Sequence, residues 1–210
     1  MTWMPVVTLP NIAVQCRVEG RYAAIVNYYD RRLSHLRGQH PKLKRFLNGF
    51  RDAFGRIHRP SVLMLHAEKY DTYRQSEAIA AFRDLLAISA VPYARASVLK
   101  YGKTSFEAVY ANAFGFYPWM IDVHYDGLIA STPAMLASDE TERFSGRVSP
   151  EIGYYPVSEV DEPLLRALID RWEARFENTS PPWRDRALFR SLNMAYHAGA
   201  NTISHGGHAV

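Results

Sequence analysis

Arg190 and His197 stand seven positions apart in a stretch with a helical pattern. An arginine that holds a phosphate and a histidine that moves a proton can together cleave RNA. On a straight helix this spacing returns to the same face after two turns, about 10 Å along the axis. It is equally the spacing of two surface residues near a fraying helix end. His66-Ala67-Glu68 suggests a second chemistry. Zinc deaminases place a metal ligand and a general acid/base at that spacing, but they also need a pair of downstream cysteines. The one cysteine, Cys16, lies upstream, which argues against a deaminase. His66 and Glu68 instead fall at the carboxyl end of an apolar run, the edge at which open α/β sheets place ligands. A ligand-binding role for His66, Glu68, Lys69 and Asp71 is one reading, and a solvated strand end is the other.

Asp122, His124 and Asp126 would project to one side of an extended segment. Two carboxylates and an imidazole can hold a divalent metal, yet alternation beside a turn also places polar residues on the exposed face of any hairpin. His205 and His208 sit among glycines, where adventitious metal binding is the better reading. No Gly-x-Ser-x-Gly elbow and no phosphate loop occurs. Cys16 has no base near it in sequence. It sits in an apolar-alternating run, Ile12 to Val18, and is expected to be a buried, inert thiol. No cofactor and no metal site is expected.

The elements that must position these residues fit a chain of 210 residues, 48% apolar and 13% aromatic, enough for a substantial core. No run approaches the length of a membrane span, and the N-terminus lacks the pattern of a signal peptide. A soluble, cytoplasmic protein with no membrane partner is expected. The net charge of +4 conceals an asymmetry. From Arg17 to Arg59 there are 11 Lys/Arg against 3 Asp/Glu, a local +8. Clustered positive charge attracts polyanions by counterion release, so Lys42, Lys44, Arg45 and Arg51 are the candidate nucleic-acid contacts. A solvated basic face is the competing reading.

Residues 5–18 read as one or two short strands broken at Pro10-Asn11. Tyr22, Ile25, Val26, Tyr29, Leu33 and Leu36 have near-helical spacing and predict a helix over 22–37. Pro41 starts another. Leu43, Phe46, Leu47, Phe50 and Phe54 make its apolar stripe, and Gly55 is its natural stop. Ser61 to His66 reads as a strand buried on both faces. A helix capped by Asp71 or Thr72, with Ile79, Phe82, Leu85, Leu86 and Ile88 as its apolar side, leads to a strand at 94–100. Strand, helix and strand together suggest a parallel βαβ crossover. Residues 121–130, turning at Asp126-Gly127, read as an antiparallel hairpin. Tyr154-Tyr155-Pro156 reads as an irregular connector. Asp161-Glu162-Pro163 opens a helix with Leu164, Leu165, Leu168, Ile169, Trp172 and Phe176 as its buried stripe. A last helix begins at Ser180, and residues from Asn201 onward read as no element. The expected fold is α/β (or α+β), a mixed sheet with flanking helices followed by two C-terminal helices. The expected divisions are an α/β body over 1–155, a helical extension over 156–200 and a flexible tail over 201–210.

Phe116-Tyr117-Pro118-Trp119, Ser131-Thr132-Pro133-Ala134, Phe144-Ser145-Gly146 with Ser149-Pro150, and Arg186 to Ala195 resemble the front portion of bacterial proteins. In these, an α/β region precedes a helical domain of the HEPN type, similar to Apea-like proteins. The likeness covers most of residues 40–198. The resemblance implies RNA- or nucleotide-associated activity, dimers, and an Arg-x4-6-His ribonuclease motif, whose outer limit Arg190 to His197 matches. It also implies that the last helix opens a larger helical domain, so that the chain reads as truncated or altered at its end. The expected function is a non-catalytic sensing or interaction module associated with nucleic acid. The alternative is a metal-independent ribonuclease using Arg190 and His197. The expected partners are RNA and either a second copy of the chain or a missing helical partner, which the exposed apolar positions of the last helix would need.

Overall fold

The computed structural model describes residues 3–9, 12–51, 56–86, 119–123, 128–132, 135–138, 155–157, 162–178 and 180–206. The expected strand at 94–100, and with it the βαβ crossover, lies outside the described residues. So do Phe54, Gly55, Ile88, the aromatic segment 106–118, His124, the Asp126-Gly127 turn, the 144–150 loops and His208.

Ser61 to Leu65 is apolar on both faces because β5 (Ser61–His66) lies inside a sheet covered on both sides. It pairs antiparallel with β1 (Trp3–Leu9) on one edge and with β4 (Ala23–Val26) on the other. The full order is β3-β4-β5-β1-β6-β7-β8, with β3 Val18–Glu19, β6 Trp119–Val123, β7 Leu128–Thr132 and β8 Met135–Ser138. Every neighbouring pair in this sheet is antiparallel. The expected hairpin is present, with Val123 facing Leu128 and Met120 facing Ser131. The one parallel pairing among the described residues is in a separate two-stranded sheet, where β2 (Ile12–Val14) meets β9 (Tyr155–Val157). The α/β class with flanking helices and two C-terminal helices therefore stands, and both pairing senses occur, each in its own sheet. Tyr155 and Pro156 belong to a strand rather than an irregular connector, because β2 supplies a partner more than a hundred residues away in sequence.

Successive residues of β4 and β5 alternate between two cores. Ala23, Ile25, Leu63 and Leu65 face one cluster; Ala24, Val26, Val62 and Met64 face the other. The second cluster is roofed by α1 (Arg31–Gln39) and α2 (Pro41–Asn48) through Leu33, Leu43, Phe46 and Leu47. The helix expected over 22–37 is thus a strand followed by a helix. Tyr22 to Val26 is a continuous apolar run of strand length. The helix starts only where Asp30 Oδ1 accepts from Arg32 N at 2.9 Å. Pro41 occupies the first turn of α2, where its missing N–H is not needed. The helix ends at Asn48, before Gly55. Phe50 stays buried because the chain there turns into a bridge between Arg51 and Ile57.

The first cluster is roofed by α3 (Tyr70–Tyr73), α4 (residues 76–86) and α5 (Glu162–Glu177). The break between α3 and α4 replaces the single capped helix expected there, since Tyr70 and Tyr73 both turn their rings into the core. Trp172 fills the centre. Its Nε1 donates to Ala78 O at 2.8 Å, and its ring lies 4.8 Å from Tyr73 and 5.2 Å from Phe82. α5, expected in a helical extension, is part of the same core as the sheet. Leu164 is the departure from its stripe: it is exposed, while Leu165, Leu168, Ile169 and Trp172 are buried.

α6 (Trp183–Gly206) begins three residues after Ser180, once Pro181 and Pro182 are passed, and runs through Asn201 to Gly206. The tail expected from Asn201 is therefore helical over 201–206. α6 docks through Asn193, whose Nδ2 donates to Asp84 Oδ2 at 2.8 Å, and through the Arg171–Asp185 ion pair. No helix among the described residues is long and apolar enough to cross a membrane.

Candidate functional site

The sequence-predicted residues fall into three separate places. Lys42, Lys44 and Arg45 lie on α2, with Lys44 and Arg45 exposed. Arg51 follows the helix, and its Nη1 donates to the carbonyls of Asn48 (2.6 Å) and Phe50 (2.9 Å). The amphipathic pattern explains this arrangement: Leu43, Phe46 and Leu47 must face the sheet, so the cations between them face water. Neither α1 nor α2 carries an acid in its first turn.

His66, Glu68 and Lys69 come together at the end of β5. His66 Nδ1 accepts from the Glu68 backbone N–H at 3.4 Å, with Glu68 Oε2 3.9 Å away. In that tautomer the imidazole proton is on Nε2, which is buried with no partner among the described residues. The ring stands edge-on to Trp3, 5.7 Å between centroids, and 6.4 Å from Tyr22. Lys69 Nζ lies 5.5 Å from the Tyr22 ring, whereas Asp71 is exposed on α3. Among the described residues no set of three His, Cys, Asp or Glu side chains is placed to hold a metal.

Arg190 and His197 are both exposed on α6, two turns apart on an unbroken helix. α6 sits over α4 and α5, on the opposite side of the sheet from α1 and α2. The structure therefore separates this pair from the basic helices within one chain.

Cys16 is exposed, not buried. The apolar alternation ends at Val14, and the chain bends at residues 15 and 16 between β2 and β3.

Two groups escaped the sequence reading. Glu173, in the middle of an apolar stripe, is 4% exposed. Its Oε1 accepts from the N–H groups of Tyr22 and Ala23, each at 2.7 Å, and its Oε2 from Arg21 at 3.0 Å. Burial pushes its carboxyl above the usual range, against the opposing pull of those backbone N–H groups. Tyr73 beside it is raised well above the ordinary tyrosine value, by burial first and then by Glu177 and Glu173. The second is the arginine cluster around Tyr28. Arg37 lies 3.6 Å from the ring centroid and Arg59 4.8 Å. Only the excess of basic residues hinted at it, because an Arg–Tyr stack between positions 28 and 59 has no local pattern.

No protein-family model, no curated protein and no solved structure matches this chain, so its function is read from its own residues.

Proposed function

We propose that the chain is a bacterial binding module, without catalysis of its own, that engages RNA through the basic layer formed by α1 and α2. The observation that carries this reading is the sorting of charge. Lys44 and Arg45 on α2 and Arg31 on α1 face water, Lys42, Arg37 and Arg51 are half-buried, and the segment 17–59 that holds all six has a sequence charge of +8. Such a layer releases counterions from a phosphate backbone on binding. An RNA-associated role is also what the sequence resemblance to bacterial proteins with a HEPN-type domain implies. Self-association belongs to the same reading, since Trp183 and Met194, 68% and 66% exposed, stand on one face of α6.

The test is a binding titration of labelled RNA across a salt series. Contacts from the four residues Lys42, Lys44, Arg45 and Arg51 give a slope of log affinity against log salt near −3, from about 0.7 per phosphate on a single strand. Lys44→Glu with Arg45→Glu should flatten the slope and weaken binding. Binding that is insensitive to both salt and these substitutions would remove the reading.

One observation favours a second reading, a ribonuclease: Arg190 and His197 are both solvent-facing on one uninterrupted helix. RNA cleavage lost in His197→Ala, with binding intact, would establish it, and cleavage unchanged in that variant would sink it.

A further inference from the structure

The turn between β4 and α1 carries two tyrosines of opposite placement. Tyr28 is buried, and its hydroxyl donates to Asn48 Oδ1 at 2.6 Å. Tyr29 is 73% exposed and sets its ring edge-on to Tyr28, 5.2 Å between centroids at 80°. An exposed aromatic of this size usually moves freely, but here its backbone is fixed. Tyr29 N donates to Asn27 Oδ1 at 2.9 Å, and Asp30 N donates to Asn27 O at 3.1 Å. Asn27 Nδ2 ties the turn to Gln15 O at 2.7 Å. The next residue, Asp30, caps α1. Tyr29 is therefore a preorganised platform, which lowers the ordering cost of a ligand that stacks on it.

The charge beside it is uncompensated. Several arginines meet carboxylates: Arg32 with Glu19, Arg83 with Asp84 and Arg175 with Glu77. Arg37 and Arg59 meet none among the described residues. Their guanidinium groups crowd the same Tyr28 ring, at 3.6 and 4.8 Å. Arg37 Nη2 donates to Tyr28 O and Ser34 Oγ, each at 2.9 Å, while Arg37 Nε and Arg59 Nη1 are buried with no partner among the described residues. Two like charges on one ring repel each other, and anionic groups beside them relieve that repulsion.

We infer that this corner binds single-stranded nucleic acid, with one base stacked on Tyr29 and neighbouring phosphates on Arg37 and Arg59. The inference rests on the reading that the basic layer takes RNA, and it adds the strandedness and the stacking residue. A stacked base on an exposed ring requires an open base face, which a duplex does not offer along its length.

The experiment is fluorescence anisotropy of the full chain with a labelled adenine-rich single-stranded RNA of about 12 nucleotides, inside the site size of such proteins. A duplex of the same length runs alongside, and thermal melting checks the fold of each variant. Tyr29→Ala should weaken single-strand binding about 5- to 150-fold, the range found for loss of one base–aromatic stack, with the salt slope unchanged. Tyr29→Phe should retain binding, and duplex binding should not respond to Tyr29→Ala. Arg59→Gln should lower the salt slope by about 0.7. If Tyr29→Ala leaves single-strand affinity unchanged while salt-dependent binding persists, the inference fails and the polyanion reading survives. If neither RNA binds at any salt concentration, both fall.

Discussion

Glu173 fastens α5 to the turn between β3 and β4, and its removal should be felt across the fold. Its carboxylate accepts from three backbone N–H groups, those of Arg21, Tyr22 and Ala23. Glu173→Ala leaves these donors without an acceptor, at about 1–3 kcal/mol for each buried one, and relieves in part the cost of burying a charge. A net loss of about 3–5 kcal/mol follows. At about 2–4 °C per kcal/mol for a chain of this size, the melting temperature should fall by about 10 °C. Glu173→Gln keeps one oxygen but turns an amide N–H₂ toward a backbone donor, so its loss should be smaller, about 1–2 kcal/mol. The same junction can be attacked from the other side. A Cβ on Gly20 would lie 2.5 Å from Ile169 Cγ2 and 3.0 Å from Glu173 Oε1. Gly20→Ala should therefore push α5 away and cost about 1–3 kcal/mol. Because both substitutions break one contact, the double variant should lose less than their sum, by about 1 kcal/mol. Denaturant unfolding of the four proteins measures this directly. Additive losses, or a Glu173→Ala variant within about 0.5 kcal/mol of wild type, would refute the junction. The pH dependence separates the two forces on the carboxyl. Burial outweighs the N–H groups and raises its value in the folded state above 4.5. The folded chain then binds the proton before the unfolded chain does, so this group adds stability as pH falls through its raised value. The stability gap between wild type and Glu173→Gln should widen on acidification. A gap that narrows would mean that the hydrogen bonds dominate.

Two further outcomes follow from the core and the surface. Trp172→Phe should cost about 2 kcal/mol in denaturant unfolding, since it leaves Ala78 O without its 2.8 Å donor and opens space among Tyr73 and Phe82; a loss below about 0.5 kcal/mol would contradict the central packing of that ring. Cys16 should be modified by a maleimide in the native protein as completely as in denaturant, because it is exposed; protection in the native state would contradict the bend that presents it.

The elements legible in the sequence are those whose burial repeats locally. β5 shows as an apolar run, α2 as Leu43, Phe46 and Leu47 at helical spacing, and α5 as Leu165, Leu168, Ile169 and Trp172. β4 was not legible because Tyr22, Ile25, Val26 and Tyr29 satisfy a helical period while also lying in a run of strand length. The deciding signal was the cap at Asp30, which places the helix start after them. β9 and the burial of Glu173 were illegible for a shared reason. Their partners are backbone groups about 140 to 150 residues away, and a backbone group has no residue type to read. At the candidate site, the basic excess on α2 was legible. The fixed, exposed Tyr29 was not, because it appears in sequence as one more position of an apolar stripe.

The layering also constrains how binding and cleavage could combine. Neighbouring residues of β4 and β5 face opposite clusters, so the sheet itself stands between α1–α2 and α4–α5. α6 is fastened to the far side through Asp84 and Arg171. An RNA strand seated on Lys44, Arg45 and Tyr29 is therefore held on the face away from Arg190 and His197 of the same chain. The proposed binding would need only the near layer. Cleavage by Arg190 and His197 would need the strand to pass round the sheet or to reach α6 of a second copy. The exposed Trp183 and Met194 lie on the helix that such a copy would have to approach. Binding and cleavage are thus separable by geometry: substitutions on α2 should weaken binding without altering α6, and substitutions at His197 should leave the α1–α2 surface intact.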